Sequence, residues 1–138
     1  MKCLVTGATG FIGNRLVEKL LILGHEVHIL ARSKEKVIQM YGSKVHFFEG
    51  DLLDLDAIQQ AMLNCDAVFH LAAFANIWSK DKMLAYKTNV EGTKNILETA
   101  VQYKVRKVVF TSSAAVFPPA ENEEEVDETA VLPEKYLT

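Results

Sequence analysis

The run Thr6-Gly7-Ala8-Thr9-Gly10-Phe11-Ile12-Gly13 spaces three glycines three residues apart, directly after the apolar stretch Cys3-Leu4-Val5 and directly before a helical pattern. Few backbones need glycine at that spacing. In a tight strand-to-helix turn, one glycine makes the turn, one lets a phosphate approach the backbone, and one lets helix and strand pack closely. Amide groups at the helix start then face outward, and the helix dipole adds roughly half a positive charge there, so an anion is held without a basic side chain. Leu16, Val17, Leu20, Leu21 and Leu23 give the helix an apolar face, and Gly24 ends it before a second strand, Glu26-Val27-His28-Ile29-Leu30. Strand, turn and helix in this order make Gly7, Thr9, Gly10, Phe11, Ile12 and Gly13 candidate contacts for a dinucleotide; the rival is a glycine-rich connector that binds nothing.

Strand and helix signals alternate along the rest of the chain. Strands are expected near 2–6, 26–31, 44–48, 66–71 and 106–111, with helices over 11–23, 33–41, 54–63 and a long one near 80–103. This alternation predicts an α/β fold: a doubly wound parallel sheet of strand order 3-2-1-4-5, with helices on both faces and the ligand at the carboxyl ends of the strands. A chain of 138 residues, 49% hydrophobic, encloses one core. One domain is therefore expected over 1–138, with a core over 1–113 and an acidic connecting loop over 114–138.

Charge and cysteine content exclude several functions. Glu121, Glu123, Glu124, Glu125, Asp127 and Glu128 turn an otherwise net positive chain into one of net charge −3. A solvated loop is the simpler account of that patch, a dock for a basic partner the alternative, and the absence of a basic stripe argues against nucleic acid. No apolar run reaches the ~18 residues of a membrane span, and Met1-Lys2-Cys3 leads straight into the first strand, so a cytoplasmic location is expected. Cys3 and Cys65 are too few and too isolated for a disulfide framework or a metal site.

The glycine spacing is G-x-x-G-x-x-G, not G-x-G-x-x-G, and it is followed in order by Gly50-Asp51-Leu52-Leu53-Asp54, Phe69-His70-Leu71-Ala72-Ala73, Asn89-Val90-Glu91-Gly92-Thr93 and Val109-Phe110-Thr111-Ser112-Ser113-Ala114. Together these segments, which span nearly the whole chain, resemble the extended short-chain dehydrogenase/reductases of the NAD-dependent epimerase/dehydratase family. Through Ala72-Ala73-Phe74-Ala75-Asn76-Ile77-Trp78 the chain resembles the dihydroflavonol-4-reductase-like members more than the sugar-nucleotide epimerases. The resemblance implies a Rossmann fold, an oxidoreductase moving hydride to or from a carbonyl or secondary alcohol of a small-molecule substrate, and a substrate-binding portion beyond Thr138. The chain is accordingly expected to be an N-terminal fragment of such an enzyme.

Individual positions refine this expectation. The second strand ends Leu30-Ala31-Arg32-Ser33, where a carboxylate would hold the ribose hydroxyls of NAD. Arg32 offers instead a fork suited to a 2′-phosphate, with Ser33 and Lys36 close along the chain, so NADP is favoured over NAD; a surface arginine opening a helix is the rival. The resemblance implies that Asp51 accepts a hydrogen bond from the adenine amino group while Leu52 lines the ring, and Asp54 serves as N-cap of helix 54–63. Leu71, Ala72 and Ala73 would let backbone run close beneath the cofactor. His70, in an apolar strand, is expected to be packed and without a catalytic role.

Val90, Thr93, Ile96, Leu97 and Ala100 form the expected packing stripe of the long helix. By resemblance Asn89 supports the site from behind; a solvent-facing asparagine is the alternative. Tyr86, Leu97 and Val101 mark a surface of helix 80–103 through which two copies could pair.

Ser113 terminates the fifth strand, and the resemblance makes it the catalytic serine that polarises a substrate carbonyl, working with a Y-x-x-x-K motif whose tyrosine is the acid/base. Tyr136 is that tyrosine in one register. In another, Tyr136-Leu137-Thr138 precedes it and the true tyrosine lies past Thr138; in both, the lysine lies beyond the chain. A non-catalytic NADP(H)-binding regulatory or scaffold module is the reading from a different class.

Overall fold

Residues 1–75, 81–117, 126–127 and 129 are described by the computed structural model. Strands β1 (Lys2–Thr6), β2 (Glu26–Ala31), β3 (His46–Glu49), β4 (Ala67–His70) and β5 (Lys107–Phe110) form one parallel sheet in the order β3-β2-β1-β4-β5. The expected topology is thus the observed one. Helices α1 (Phe11–Ile22), α2 (Lys34–Tyr41), α3 (Leu55–Met62), α4 (Lys82–Tyr86) and α5 (Gly92–Gln102) connect the strands or lie within their crossovers.

Alternation along each strand explains why helices cover both faces. In β1 and β2, Cys3, Val5, Val27 and Ile29 join a core cluster with Val17 and Leu20 of α1 and Val37 and Tyr41 of α2. The intervening Leu4 and Leu30 join a second cluster with Ile58, Ala61 and Met62 of α3 and Ile96 and Ala100 of α5. A strand whose successive side chains point to opposite faces must be apolar throughout to be buried this way. The register runs Lys2↔Glu26 through Thr6↔Leu30 on one side of β1, and Cys3↔Ala67 through Thr6↔His70 on the other. Thr6, the residue before the glycine turn, is thereby level with the end of β4.

Three expectations are corrected. Leu23 does not belong to the apolar face of α1; it is exposed, because the helix has ended and Leu23 forms its C-cap. β3 begins at His46, two residues later than the apolar pattern suggested. The long helix is not regular: between α4 and α5, Lys87–Glu91 form a π turn. Such a turn inserts one residue, which rotates the following face by roughly 100°. The buried stripe of α5 comprises Gly92, Ile96, Thr99 and Ala100, while Val90, on the π turn, and Leu97, on α5, are exposed. Among the described residues, no helix is long and apolar enough to cross a membrane, and no cluster of His, Cys, Asp and Glu could hold a metal ion.

Candidate functional site

The glycine turn, Arg32, Asp51, Leu71, Ala72, Ala73 and Ser113 all follow the carboxyl ends of parallel strands, so the topology gathers them at one end of the sheet. At its centre is the glycine turn. Gly7 has φ +71°, and a Cβ there would lie 2.7 Å from the Ala72 nitrogen, so the exits of β1 and β4 pack backbone against backbone. The Gly10 N–H donates to the Gly7 carbonyl at 3.0 Å, and Gly10 then caps α1 without a side-chain hydrogen bond. A Cβ on Gly13 would collide with the Gly7 carbonyl oxygen and lie 2.8 Å from Ala8 Cα.

The first-turn amides of α1 therefore lack a capping side chain, and no acidic residue occupies that turn. A backbone cradle opening on free helix amides fits a phosphate group. Thr9, Phe11 and Ile12 are exposed around it, Phe11 to 88%. Tyr41, a residue the sequence did not single out, steadies the turn from behind: its hydroxyl donates to the Ala8 carbonyl at 2.7 Å. Burial pushes its phenol up to about 12, so it remains a donor across the working pH range.

Arg32 immediately follows β2, is exposed, and makes no ion pair among the described residues. Its neighbour Ser33 is not the helper the sequence suggested. The Ser33 hydroxyl caps α2, accepting from the Lys36 N–H at 3.3 Å, and donates to Glu35 Oε2 at 3.1 Å. Hydrogen bonds from its own backbone N–H and from Ser33 hold the Glu35 carboxyl below the usual carboxylate range. Glu35 is thus ionised beside Ser33, and a phosphate here would rely on Arg32.

After β3, Asp54 caps α3 as expected, accepting from the Ala57 N–H at 3.0 Å. Asp51 is exposed, and its Oδ1 closes a small turn by accepting from the Leu53 N–H at 2.7 Å. Leu52 lies deeper than a ring-lining residue would. Only 5% exposed, its side chain packs beneath Gly92, where an added Cβ would lie 2.5 Å from Leu52 Cβ. The Leu52 carbonyl accepts from Asn95 Nδ2 at 3.0 Å, tying this loop to α5.

The chain leaving β4 is held still more closely. Leu71 N–H donates to the Thr6 carbonyl at 3.3 Å, and Ala72 N–H donates to Thr6 Oγ1 at 3.2 Å; Leu71 and Ala72 are half-buried and Ala73 exposed. Asn89, on the π turn, is exposed, yet both ends of its amide are engaged. Its Oδ1 accepts from the Phe74 N–H at 2.7 Å and its Nδ2 donates to the Phe74 carbonyl at 3.1 Å, which clamps the loop in both directions.

His70 is fully buried, with Thr6 Oγ1 2.7 Å from Nδ1 and Thr93 Oγ1 2.9 Å from Nε2, and desolvation lowers it from 6.5 to about 4. It is a packed neutral histidine, as expected. Ser113 is exposed beyond the end of β5, and its carbonyl accepts from the Val116 N–H at 3.2 Å to open a 3-10 turn, Ala114–Val116. Asn76, Ile77, Trp78 and Tyr136 lie outside the described residues, as does most of the acidic run.

Comparison with known proteins gives concordant matches. The family model described as the NAD dependent epimerase/dehydratase family matches residues 3–136. A candidate dihydroflavonol 4-reductase from Synechocystis sp. is 37% identical over 96% of this chain and 38% of its own length. A 2-alkyl-3-oxoalkanoate reductase from Shewanella oneidensis is 32% identical over 96% of this chain and 34% of its own. Among solved structures, the UDP-glucose 4-epimerase of Thermus thermophilus, in complex with NAD, superposes with a TM-score of 0.86 at 34% identity, covering 96% of this chain and 44% of that one. The chain spans little more than a third of the length of these curated relatives.

Proposed function

Because this chain belongs to the NAD dependent epimerase/dehydratase family, we propose that it is the dinucleotide-binding portion of an oxidoreductase that uses NADP(H) in preference to NAD(H). The observation that carries this reading is the turn through Gly7, Gly10 and Gly13, packed too tightly against its own backbone to take a Cβ at Gly7 or Gly13, which leaves the first-turn amides of α1 without a capping side chain. Support for binding of this cofactor class comes from the epimerase structure with NAD. The pyrophosphate would lie against the amides of Phe11, Ile12 and Gly13, flanked by Thr9 and the exposed side chains of Phe11 and Ile12. Asp51 and the Leu52 backbone would receive the adenine, and Leu71, Ala72 and Ala73 would border the nicotinamide half. When bound, the cofactor supplies the hydride chemistry; the chain's own residues bind it and orient it.

Preference for the phosphorylated dinucleotide rests on Arg32, an exposed guanidinium where a carboxylate would be needed to favour the ribose hydroxyls. Arg32→Ala is expected to weaken NADPH by about tenfold or more while changing NADH by less than about threefold, since a lost charged hydrogen bond costs about 1.5–3 kcal/mol. Titration of both dinucleotides by fluorescence measures it, and equal losses would remove the 2′-phosphate assignment.

Ser113 is proposed as the group that donates a hydrogen bond to a carbonyl or secondary alcohol substrate in the crevice. Ser113→Ala should then retain dinucleotide binding and lower kcat of the longer protein. The exposed Tyr86, Leu97 and Val101 are the proposed contact between two copies of the chain, to be read from its mass in solution.

A further inference from the structure

His70 has no access to a substrate, yet its ring joins four elements. Nδ1 pairs with Thr6 Oγ1 at 2.7 Å and Nε2 with Thr93 Oγ1 at 2.9 Å. The ring stacks on Phe110 of β5 at 5.6 Å and 23°, and the His70 carbonyl accepts from the Thr111 N–H at 3.0 Å. Thr6 Oγ1 also accepts from the Ala72 N–H at 3.2 Å. One arrangement satisfies every group of the chain: the Thr6 hydroxyl accepts from the Ala72 N–H and gives its own proton to Nδ1, and Nε2–H donates to Thr93; in the other tautomer both His70 bonds run in the opposite sense. Among the described residues every buried side-chain nitrogen and oxygen has a partner, and a turn of the fully buried His70 ring or Thr6 hydroxyl would break the bonds of this relay.

We propose that His70 is a positioning residue of the dinucleotide cleft, taking its orientation from α5 through Thr93 and passing it through Thr6 to the Ala72 amide. The inference rests on the proposed placement of the cofactor beside residues 71–73. The same stretch of helix makes two further attachments to the cleft: Asn89 clamps Phe74, and Asn95 with Gly92 holds Leu52. The loops after β3 and β4 are therefore both referenced to residues 89–95, and the π turn at Lys87–Glu91 sets the rotation of Asn89 relative to Thr93. Of these attachments, Thr93 is the one that acts at a distance, because two side chains separate it from Ala72.

The test compares Thr93→Val, which keeps the shape and removes the hydroxyl, with Thr93→Ser and with Ile96→Val. Ile96 is fully buried on the same helix but takes no part in the bond chain. NADPH and NADH dissociation constants and the hydrogen exchange of the Ala72 amide are measured on the full chain of each. Thr93→Val is expected to weaken dinucleotide binding about tenfold and to speed Ala72 exchange by a similar factor. Thr93→Ser should stay within about twofold of the wild type, and Ile96→Val should bind like the wild type despite a lower unfolding temperature. Wild-type affinity and exchange in Thr93→Val would overturn the inference while leaving the proposed function standing, as would an Ile96→Val that weakens binding equally. A wild-type chain that binds neither dinucleotide would overturn the proposed function and this inference with it.

Discussion

Gly7→Ala is expected to destabilise the chain by about 2–5 kcal/mol, because two independent penalties fall on one methyl group. The backbone at Gly7 has φ +71°, a conformation that costs an L-residue roughly 1–2 kcal/mol. In addition, the new Cβ would lie 2.7 Å from the Ala72 nitrogen and 2.8 Å from the Leu71 carbonyl carbon, and overpacking of this kind costs about 1–3 kcal/mol. The molecule contains its own control. Gly24 has φ +74°, but a methyl group added there would meet nothing within 4 Å, so Gly24→Ala should show the conformational penalty alone, about 1–2 kcal/mol. Urea denaturation of the two variants separates the terms. A Gly7→Ala no worse than Gly24→Ala would mean that the exits of β1 and β4 do not touch as described.

Acid should destabilise the protein through His70. The ordinary histidine value is 6.5, and burial lowers His70 to about 4, so the folded state holds this ring neutral while the unfolded chain protonates it. Between those values the unfolded state binds more protons, and stability falls as pH falls. The stabilisation is complete above about 6.5 and is lost progressively down to about 4, a total on the order of 3 kcal/mol at 1.36 kcal/mol per pH unit. Denaturation curves collected from pH 7.5 to 4 on the wild type and on His70→Asn, which cannot titrate, measure the difference in slope. Parallel curves would show that His70 does not carry this dependence.

Much of the architecture was legible in one dimension. Apolar strands separated by helical patterns dictate a parallel sheet with both faces covered, and the observed order β3-β2-β1-β4-β5 follows from the handedness of the crossovers. The glycine turn was equally legible, since only glycine tolerates the backbone it needs. Asp54 could be assigned as a cap from its position alone. Ser33 shows where such reasoning stops: its nearness to Arg32 along the chain suggested a phosphate ligand, yet its hydroxyl serves α2 and Glu35.

The π turn was not legible, because a one-residue insertion into a helical ladder leaves no mark in composition, and Val90, which lies on it, is exposed instead of joining the expected stripe. The bonding roles of Thr6, Tyr41, Thr93 and Asn95 were missed for a related reason. Each acts through hydrogen bonds to residues far away along the chain, and threonine, tyrosine and asparagine are common enough that nothing marks these four.

Local pattern thus determined the elements, their order, the cradle and the end of the sheet where a ligand belongs, because helix and strand periodicity and glycine's backbone freedom are properties of neighbouring residues. Only the tertiary structure decided which side chains hold that cradle in shape. Hydrogen bonds between distant segments depend on the register of β1 against β4 and on the rotation of α5, and these arise when the core closes around Leu4, Ile58, Val68 and Ile96.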